Sequence, residues 1–498
     1  MKYVIGIDLG TSSVKTLLVD RNGDIKGEAT AAYPLIHERP GYSEQNPEEW
    51  VTGTVSCLKQ LFKDSGVSPE DIDGVSYSGQ MHGLVLLDAD HNVLRNAILW
   101  NDTRTTAECR EIESKLGDKL LSITKNAALE GFTLPKILWV QKHEPELFSK
   151  AAQFVLPKDY LRYRMTGRVE MEISDAAGTL LLNVAEGEWS QEIVEAFGLP
   201  TGFCPPIVGS TENTGTVLPE FAELSGLSTA TKVFGGGADN ACGAVGAGIV
   251  KKGDALSSIG TSGVVLTYEE DKSKDFEGKV HFFNHAHPGA FYAMGVTLAA
   301  GYSMSWFKDS LAPELSFNDF LEPVSKVAPG SEGLLFTPYL VGERTPHADS
   351  VIRGSFIGLS GTHRREHMAR AVMEGITFSL AESFELFRQA GISVERVISI
   401  GGGAKNPVWL QMQADIFGTP VVSLKNEQGP AMGAAMMAAV GSGWFSSLKD
   451  CAEQFIDYVA TYEPIPANVE VYNRLFKLYQ QVYSATRALN EGLQEFRG

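Results

Sequence analysis

Asp239 follows three glycines and an alanine, Gly235-Gly236-Gly237-Ala238, and precedes Asn240. A glycine run thins the backbone, so a ligand can come close to it. Small residues continue through Ala241, Gly243, Ala244, Gly246, Ala247 and Gly248, which predicts a tightly packed helix with Asp239 at its mouth. There a carboxylate is favoured in its charged form and can accept a proton. The chemistry this suits is general-base activation of a hydroxyl. An aspartate that simply caps the helix explains the same position. The glycines at 243, 246 and 248 do not spell G-x-G-x-x-G, and the chain contains no G-x-x-x-x-G-K-[ST]. A Rossmann dinucleotide site is thereby disfavoured and a P-loop excluded.

A second carboxylate, Asp8, interrupts the apolar strand that starts at Tyr3 and stands just before Gly10-Thr11-Ser12. Charge in such a strand is costly unless it is paired or coordinated. A magnesium-associated water would meet that cost, and so would nearby backbone donors. Gly-Thr-Ser after a strand suits phosphate, because glycine exposes backbone N–H groups and the hydroxyls add donors. Lys15 could add positive charge. One such turn is weak evidence, but a second copy, Gly260-Thr261-Ser262, follows Ala255 to Ile259.

Further along, Gly401-Gly402-Gly403 with Asn406 offers a flat backbone surface where an adenine ring could lie, or a plain strand-to-helix loop. Gln80-Met81-His82-Gly83 ends a predicted buried strand, a place where side chains commonly face a ligand. His281, His285 and His287 have metal-like spacing. No cysteine or acidic cluster accompanies them, and Phe282 and Phe283 intervene, so a structural role is favoured over zinc.

These residues need elements to hold them. The 498 residues suggest two domains. With 43% hydrophobic and 21% charged residues the composition is that of a globular chain with a large core. The formal net charge of −19 makes nucleic acid and anionic membranes poor partners. Five scattered cysteines without a C-x-x-C pair fit reduced thiols. Two stretches without charged residues, Pro288 to Phe307 and Gly429 to Leu448, read as close-packed segments with glycine turns rather than membrane spans. No secretory signal is visible, and a cytoplasmic location is expected. The opening Tyr3–Asp8, Val14–Val19 and the Asn22-Gly23 turn predict a β-meander. Asn46-Pro47-Glu48-Glu49 predicts a helix start, Met368 to Phe387 a helix, and Val397 to Ile400 a strand. The repeated Gly-Thr-Ser turn near the start of each half suggests a pseudo-repeat with a cleft between the halves.

Two longer segments carry a resemblance. Gly131-Phe132-Thr133-Leu134-Pro135-Lys136-Ile137-Leu138-Trp139-Val140 resembles the first signature of the FGGY carbohydrate kinases. Gly354-Ser355-Phe356-Ile357-Gly358-Leu359 with His367 to Glu374 resembles the second. The resemblance covers nearly the whole chain. It implies an α/β, two-domain actin-like ATPase (ribonuclease H-like) fold, divided as residues 1–248 for sugar and 249–498 for nucleotide. It implies ATP and Mg²⁺, with the phosphates between Thr11, Ser12 and Gly260, Thr261, and adenosine near Gly402, Gly403 and Asn406. Gly301 falls where the family also approaches the nucleotide. Met81, His82, Asp239 and Asn240 would contact the sugar, Asp239 as base, with Asp8 helping to hold the metal. The versions of Gln80–Gly83, Trp100-Asn101-Asp102 and Leu129–Phe132 point to D-xylulose, phosphorylated at its C5 hydroxyl. Ribulose, gluconate and glycerol are the alternatives within the family. An actin-like chaperone or sensor is the alternative outside it, but no peptide-binding β-domain follows Ala434. The resemblance also suggests a homodimer.

Overall fold

The computed structural model describes residues 1–497. Its framework is two seven-stranded sheets. In the first half β1 (Tyr3–Leu9), β2 (Ser13–Asp20) and β3 (Ile25–Ala32) form the predicted meander. Helix α1 (Pro47–Ser65) follows, with the Asn46 side chain accepting a hydrogen bond from the Glu48 amide at 3.1 Å and Gly66 ending it in the left-handed region. Asn46 and Pro47 thus work as the expected helix start. Next come β4 (Ile72–Gly79), α2 (Thr133–His143), α3 (Pro157–Thr166), β5 (Asn213–Thr216), β6 (Lys232–Phe234), β7 (Gly237–Ala238) and α4 (Asp239–Gly246). Strands β1, β4 and β6 run parallel, whereas β2 runs antiparallel to β1. Val4, Ile5, Ile7 and Leu9 are all fully buried, as expected for a strand covered on both faces.

The second half repeats this plan with β8 (Gly253–Ile259), β9 (Gly263–Glu269), β10 (His281–Asn284) and β11 (Phe291–Thr297). Helices α5 (Gly301–Leu311) and α6 (Arg365–Gln389) lead to β12 (Val394–Gly401). Then follow α7 (Pro407–Phe417), β13 (Val421–Leu424), α8 (Gly429–Gly441), β14 (Tyr458–Tyr462) and α9 (Pro466–Leu493). Strand β8 pairs antiparallel with β9 and parallel with β12, as β1 does with β2 and β4. Even a register irregularity at the first residue recurs, between Tyr3 and Val4 and between Gly253 and Asp254. The two halves are one topology used twice.

Both stretches without charge are accounted for by packing. The first runs through β11 into α5, and the second is α8 and the turn after it. Helix α8 lies on the first sheet, where Gly6 has no room for a Cβ: one would stand 2.1 Å from the Ala431 carbonyl oxygen. It also meets α4, since a Cβ on Gly433 would lie 1.9 Å from the Cys242 carbonyl oxygen. Small residues let these backbones touch. Among the described residues no helix is long and apolar enough to cross a membrane.

Candidate active site

Strand register brings the site together. Leu9 is opposite Gly79 in the parallel β1–β4 pair, and Gly79 is opposite Ala238 in β4–β7. Three segments therefore leave the sheet at one edge: Gly10-Thr11-Ser12, Gln80-Met81-His82 and Asp239-Asn240. Carboxyl ends of adjacent parallel strands are where open α/β sheets bind ligands. In the second sheet Ile259 is opposite Gly401, so Gly260-Thr261 and Gly402-Gly403 emerge together in the same way.

Asp239 is the first residue of α4, with Ala238 in the capping position. Its Oδ1 accepts hydrogen bonds from the Asn240 backbone N–H at 2.8 Å and the Asn240 amide at 3.2 Å. Its Oδ2 has no protein partner among the described residues. Burial pushes its proton affinity up, and the negative charge of Asp8 pushes it further, against the Asn240 backbone hydrogen bond; the result is about 7. Asp8 is likewise raised by burial, opposed by the Ser78 hydroxyl and by the charge of Lys15. Two buried carboxylates, one of them raised by the charge of the other, suit a cation between or beside them. Among the described residues no group of three or more His, Cys, Asp or Glu could hold a metal. The donor set fits a cation that keeps most of its ligands as water and phosphate, as Mg²⁺ does.

The two Gly-Thr-Ser turns each close on a backbone hydrogen bond. The Gly10 N–H donates to the Ser13 carbonyl at 3.0 Å, and the Gly260 N–H to the Ser262 carbonyl at 3.0 Å. Ser12, Thr261 and Ser262 are exposed and Thr11 is half-buried, whereas Lys15 is tethered. Its ammonium donates to Gln428 Oε1 at 2.7 Å, across to the other half of the chain, and lies 3.5 Å from Glu28. Side chains from three other segments brace the turn that holds Thr11. Gln45 donates to the Thr11 carbonyl at 2.7 Å, Gln80 donates to Gln45 at 3.0 Å, and Trp100 Nε1 donates to the Thr11 hydroxyl at 2.9 Å.

Gly260, Thr261, Gly301, Gly402, Gly403 and Asn406 line a single cavity of about 430 Å³. The Gly301 amide donates to the Gly260 carbonyl at 2.8 Å, and a Cβ at Gly301 would lie 2.4 Å from that oxygen. This glycine lets the α5 N-terminus dock on the turn. Asn406 also caps α7, its Oδ1 accepting from the Val408 amide at 2.9 Å and the Trp409 amide at 3.2 Å, which leaves its Nδ2 as a donor. Sequence reasoning missed Tyr302, Ser305, Phe317, Asn318 and Trp409, which form part of the walls. They carry no motif and come from three separate elements.

His82 sits in the left-handed region at φ 69°, a conformation that a non-glycine residue keeps only when its surroundings impose it. Its Nδ1 is 2.6 Å from the Gly178 carbonyl oxygen. Burial, then the charge of Lys136, lowers the ring's proton affinity to about 3. It is therefore neutral, with Nδ1 donating and the Nε2 lone pair free. Met81 lies beside it, with the Asn240 amide nitrogen 3.6 Å from its sulfur.

Beneath these segments lies a wholly buried ionic cluster that the sequence did not announce. Lys158 Nζ is 2.8 Å from Asp175, 3.1 Å from Asp159 and 3.5 Å from Glu172. Burial disfavours the ammonium, but Asp159, Asp175 and Glu172 more than offset it and its proton affinity rises. Glu172 accepts from the Ser174 hydroxyl at 2.7 Å, and that oxygen accepts from the Ala238 amide at 2.9 Å. The residue before Asp239 is thus fixed to the cluster. The three histidines do not converge on a metal: His281 bonds Asn126 at 3.0 Å, while His285 Nδ1 accepts from the His287 amide at 2.9 Å.

A seven-stranded sheet of the same topology in each half defines the two-domain, actin-like ATPase type of fold. Models of the FGGY family of carbohydrate kinases match the chain, the N-terminal domain over residues 3–246 and the C-terminal domain over residues 255–442. The chain belongs to this family. It is 62% identical over 497 residues to the xylulose kinase of Bacillus subtilis, covering 100% of both chains. The crystal structure of xylulose kinase from Rhodospirillum rubrum superposes with a TM-score of 0.92 at 28% identity, covering 98% of this chain and 100% of that one. Gluconate kinase from Lactobacillus acidophilus gives a TM-score of 0.93 at 27% identity, over 99% of this chain and 100% of that one.

Proposed function

We propose that this chain transfers the γ-phosphoryl group of ATP to D-xylulose, forming D-xylulose 5-phosphate, with Asp239 as general base. The observation that carries the reading is the Asp239 carboxylate. One oxygen is tied to Asn240 and the other is free, its proton affinity raised toward neutrality, at the strand edge shared with Met81-His82 and Thr11. Asp239 Oδ2 takes the proton of the C5 hydroxyl as that oxygen attacks phosphorus and ADP leaves. Such transfer depends on alignment and charge neutralisation more than on covalent help. His82 Nε2 accepts from a sugar hydroxyl, and the Asn240 side chain binds another. Thr11, Ser12, Gly260 and Thr261 hold the phosphates, with Lys15 lending charge at the rim. Gly301, Gly402, Gly403 and Asn406 receive adenosine. Asp8 would hold Mg²⁺ through water, and the bound ion would supply charge neutralisation. Residues 1–248 make the sugar domain and 249–498 the nucleotide domain. We also read the protein as cytoplasmic and homodimeric, the latter open to a sedimentation measurement.

The choice of xylulose is supported by the whole-length identity to the Bacillus subtilis enzyme. Gluconate is the second reading, because the gluconate kinase superposes as well as the xylulose kinase does. A panel of D-xylulose, ribulose, gluconate and glycerol with coupled detection of ADP separates them. The highest kcat/KM is expected for D-xylulose. Comparable or faster turnover of another sugar would replace the substrate, and ADP release that ignores sugar would remove the kinase reading altogether.

A further inference from the structure

His281 belongs to β10 of the second sheet, yet its ring packs on residues of the first half. Its centroid lies 5.7 Å from that of Phe132, and Phe132 lies 4.7 Å from His82. Phe283, on the same face of β10, stacks along His281 at 5.5 Å and is 6.3 Å from His82. Tyr292 of β11 is paired with Phe283 and brings its hydroxyl within 3.9 Å of the Met81 sulfur. The edge of the second sheet thus forms a wall against Met81, His82 and Phe132.

Hydrogen bonding fixes the state of this ring. Asn126 Nδ2 donates to the Phe282 carbonyl at 2.9 Å, so its Oδ1 is the atom that meets His281 Nδ1 at 3.0 Å. An amide oxygen only accepts, and Nδ1 must carry the hydrogen. Burial, then the charge of Arg344, keeps the imidazole neutral. Nε2 is left as a lone pair with no protein partner among the described residues. Unlike Nε2 of His285, it is not sealed from solvent. Its neighbours Phe132 and Phe283 offer no donor.

We propose that His281 is a specificity-determining residue supplied by the second half, its Nε2 accepting a hydrogen bond from a sugar hydroxyl remote from the one phosphorylated. The inference rests on the sugar-kinase reading above. It makes the sugar site complete only when both halves meet.

Two substitutions separate this role from anchoring. His281→Asn keeps an amide donor where Nδ1 meets Asn126 but deletes the atom at Nε2. His281→Gln reaches the Nε2 position and gives up the Asn126 bond. A recognition role predicts that Asn raises the KM for D-xylulose about ten-fold. Gln should return it to within about three-fold of the parent, with kcat and the KM for ATP little changed. Anchoring alone predicts the reverse order. Calorimetric titration of D-xylulose without nucleotide should follow the same ranking in variants that melt like the parent. A parental KM in His281→Asn, or a Gln variant no better than Asn, would overturn the assignment while leaving the kinase reading intact. A parent protein that neither binds nor phosphorylates D-xylulose would overturn both.

Discussion

Asp239 owes its proton affinity to its surroundings, and this fixes how activity and stability vary with pH. Its affinity rises from an ordinary 3.8 to about 7 in the folded protein, chiefly through burial and then through Asp8. The folded state therefore holds this proton more tightly than the unfolded chain does. The group's contribution to stability is full below about pH 4 and is lost as pH rises through 7. Asp239→Asn escapes that loss. Its melting temperature should match the parent near pH 4 and exceed it by about 2 °C at pH 8. Turnover at pH 8 should fall about a hundred- to ten-thousand-fold, with sugar binding retained. In the parent, kcat/KM for the sugar at low nucleotide should climb through pH 7 as the base loses its proton. A variant of near-parental activity would end the base assignment, and a Tm gap independent of pH would show that Asp239 is not perturbed.

At the scale of elements, glycines do two jobs that a substitution can tell apart. A Cβ on Gly403 would stand 2.6 Å from Ile259 Cδ1, so alanine there disturbs packing. On Gly402 the nearest atom is the Ile259 carbonyl oxygen at 3.5 Å, an ordinary contact, and the residue lines the nucleotide-sized cavity. Gly402→Ala should raise the KM for ATP about ten-fold, with the melting temperature within about 1 °C and the KM for sugar unchanged. An unchanged KM for ATP would move adenosine off this surface. Elements written in local signals were legible in the sequence. The meander, the Asn46 helix start, the β12 strand and both Gly-Thr-Ser turns follow from apolar runs, caps and turn residues a few positions apart. What was not legible depends on distant pairing. Gly79 meets Leu9 and Ala238 only once parallel strands find their register. Phe317 and Trp409 join one cavity from separate helices. His281, set among aromatic residues, reads locally as core and shows its open nitrogen only when Asn126 is placed opposite it. The Lys158 cluster was hidden for the same reason, since its carboxylates lie on α3 and on the segment from Glu172 to Asp175.

For the whole molecule, the architecture implies that sugar and nucleotide affect each other's binding. The halves touch through backbone-close packing of α4 on α8, where a Cβ on Gly246 would lie 2.4 Å from the Gly429 carbonyl oxygen. Side-chain bridges add Lys15 to Gln428 and Asn126 to His281. The Asp239 edge belongs to one sheet and the Gly402 edge to the other, so under the proposed roles transfer requires both edges to meet over the same phosphoryl group. If closing the cleft costs free energy, the first ligand meets part of that cost and the second binds more tightly. Coupling between two sites must be reciprocal. D-Xylulose should therefore tighten binding of a non-hydrolysable ATP analogue by about five-fold or more, and the analogue should tighten D-xylulose by the same factor. Calorimetric titration of each ligand, with and without the other at saturation, measures both factors. The radius of gyration in solution should fall with either ligand and fall furthest when both are present. Independent binding, with each affinity unmoved by the other ligand, would mean that the cleft is already closed in the free protein. Exclusion of water would then rest on the ligands themselves rather than on domain motion.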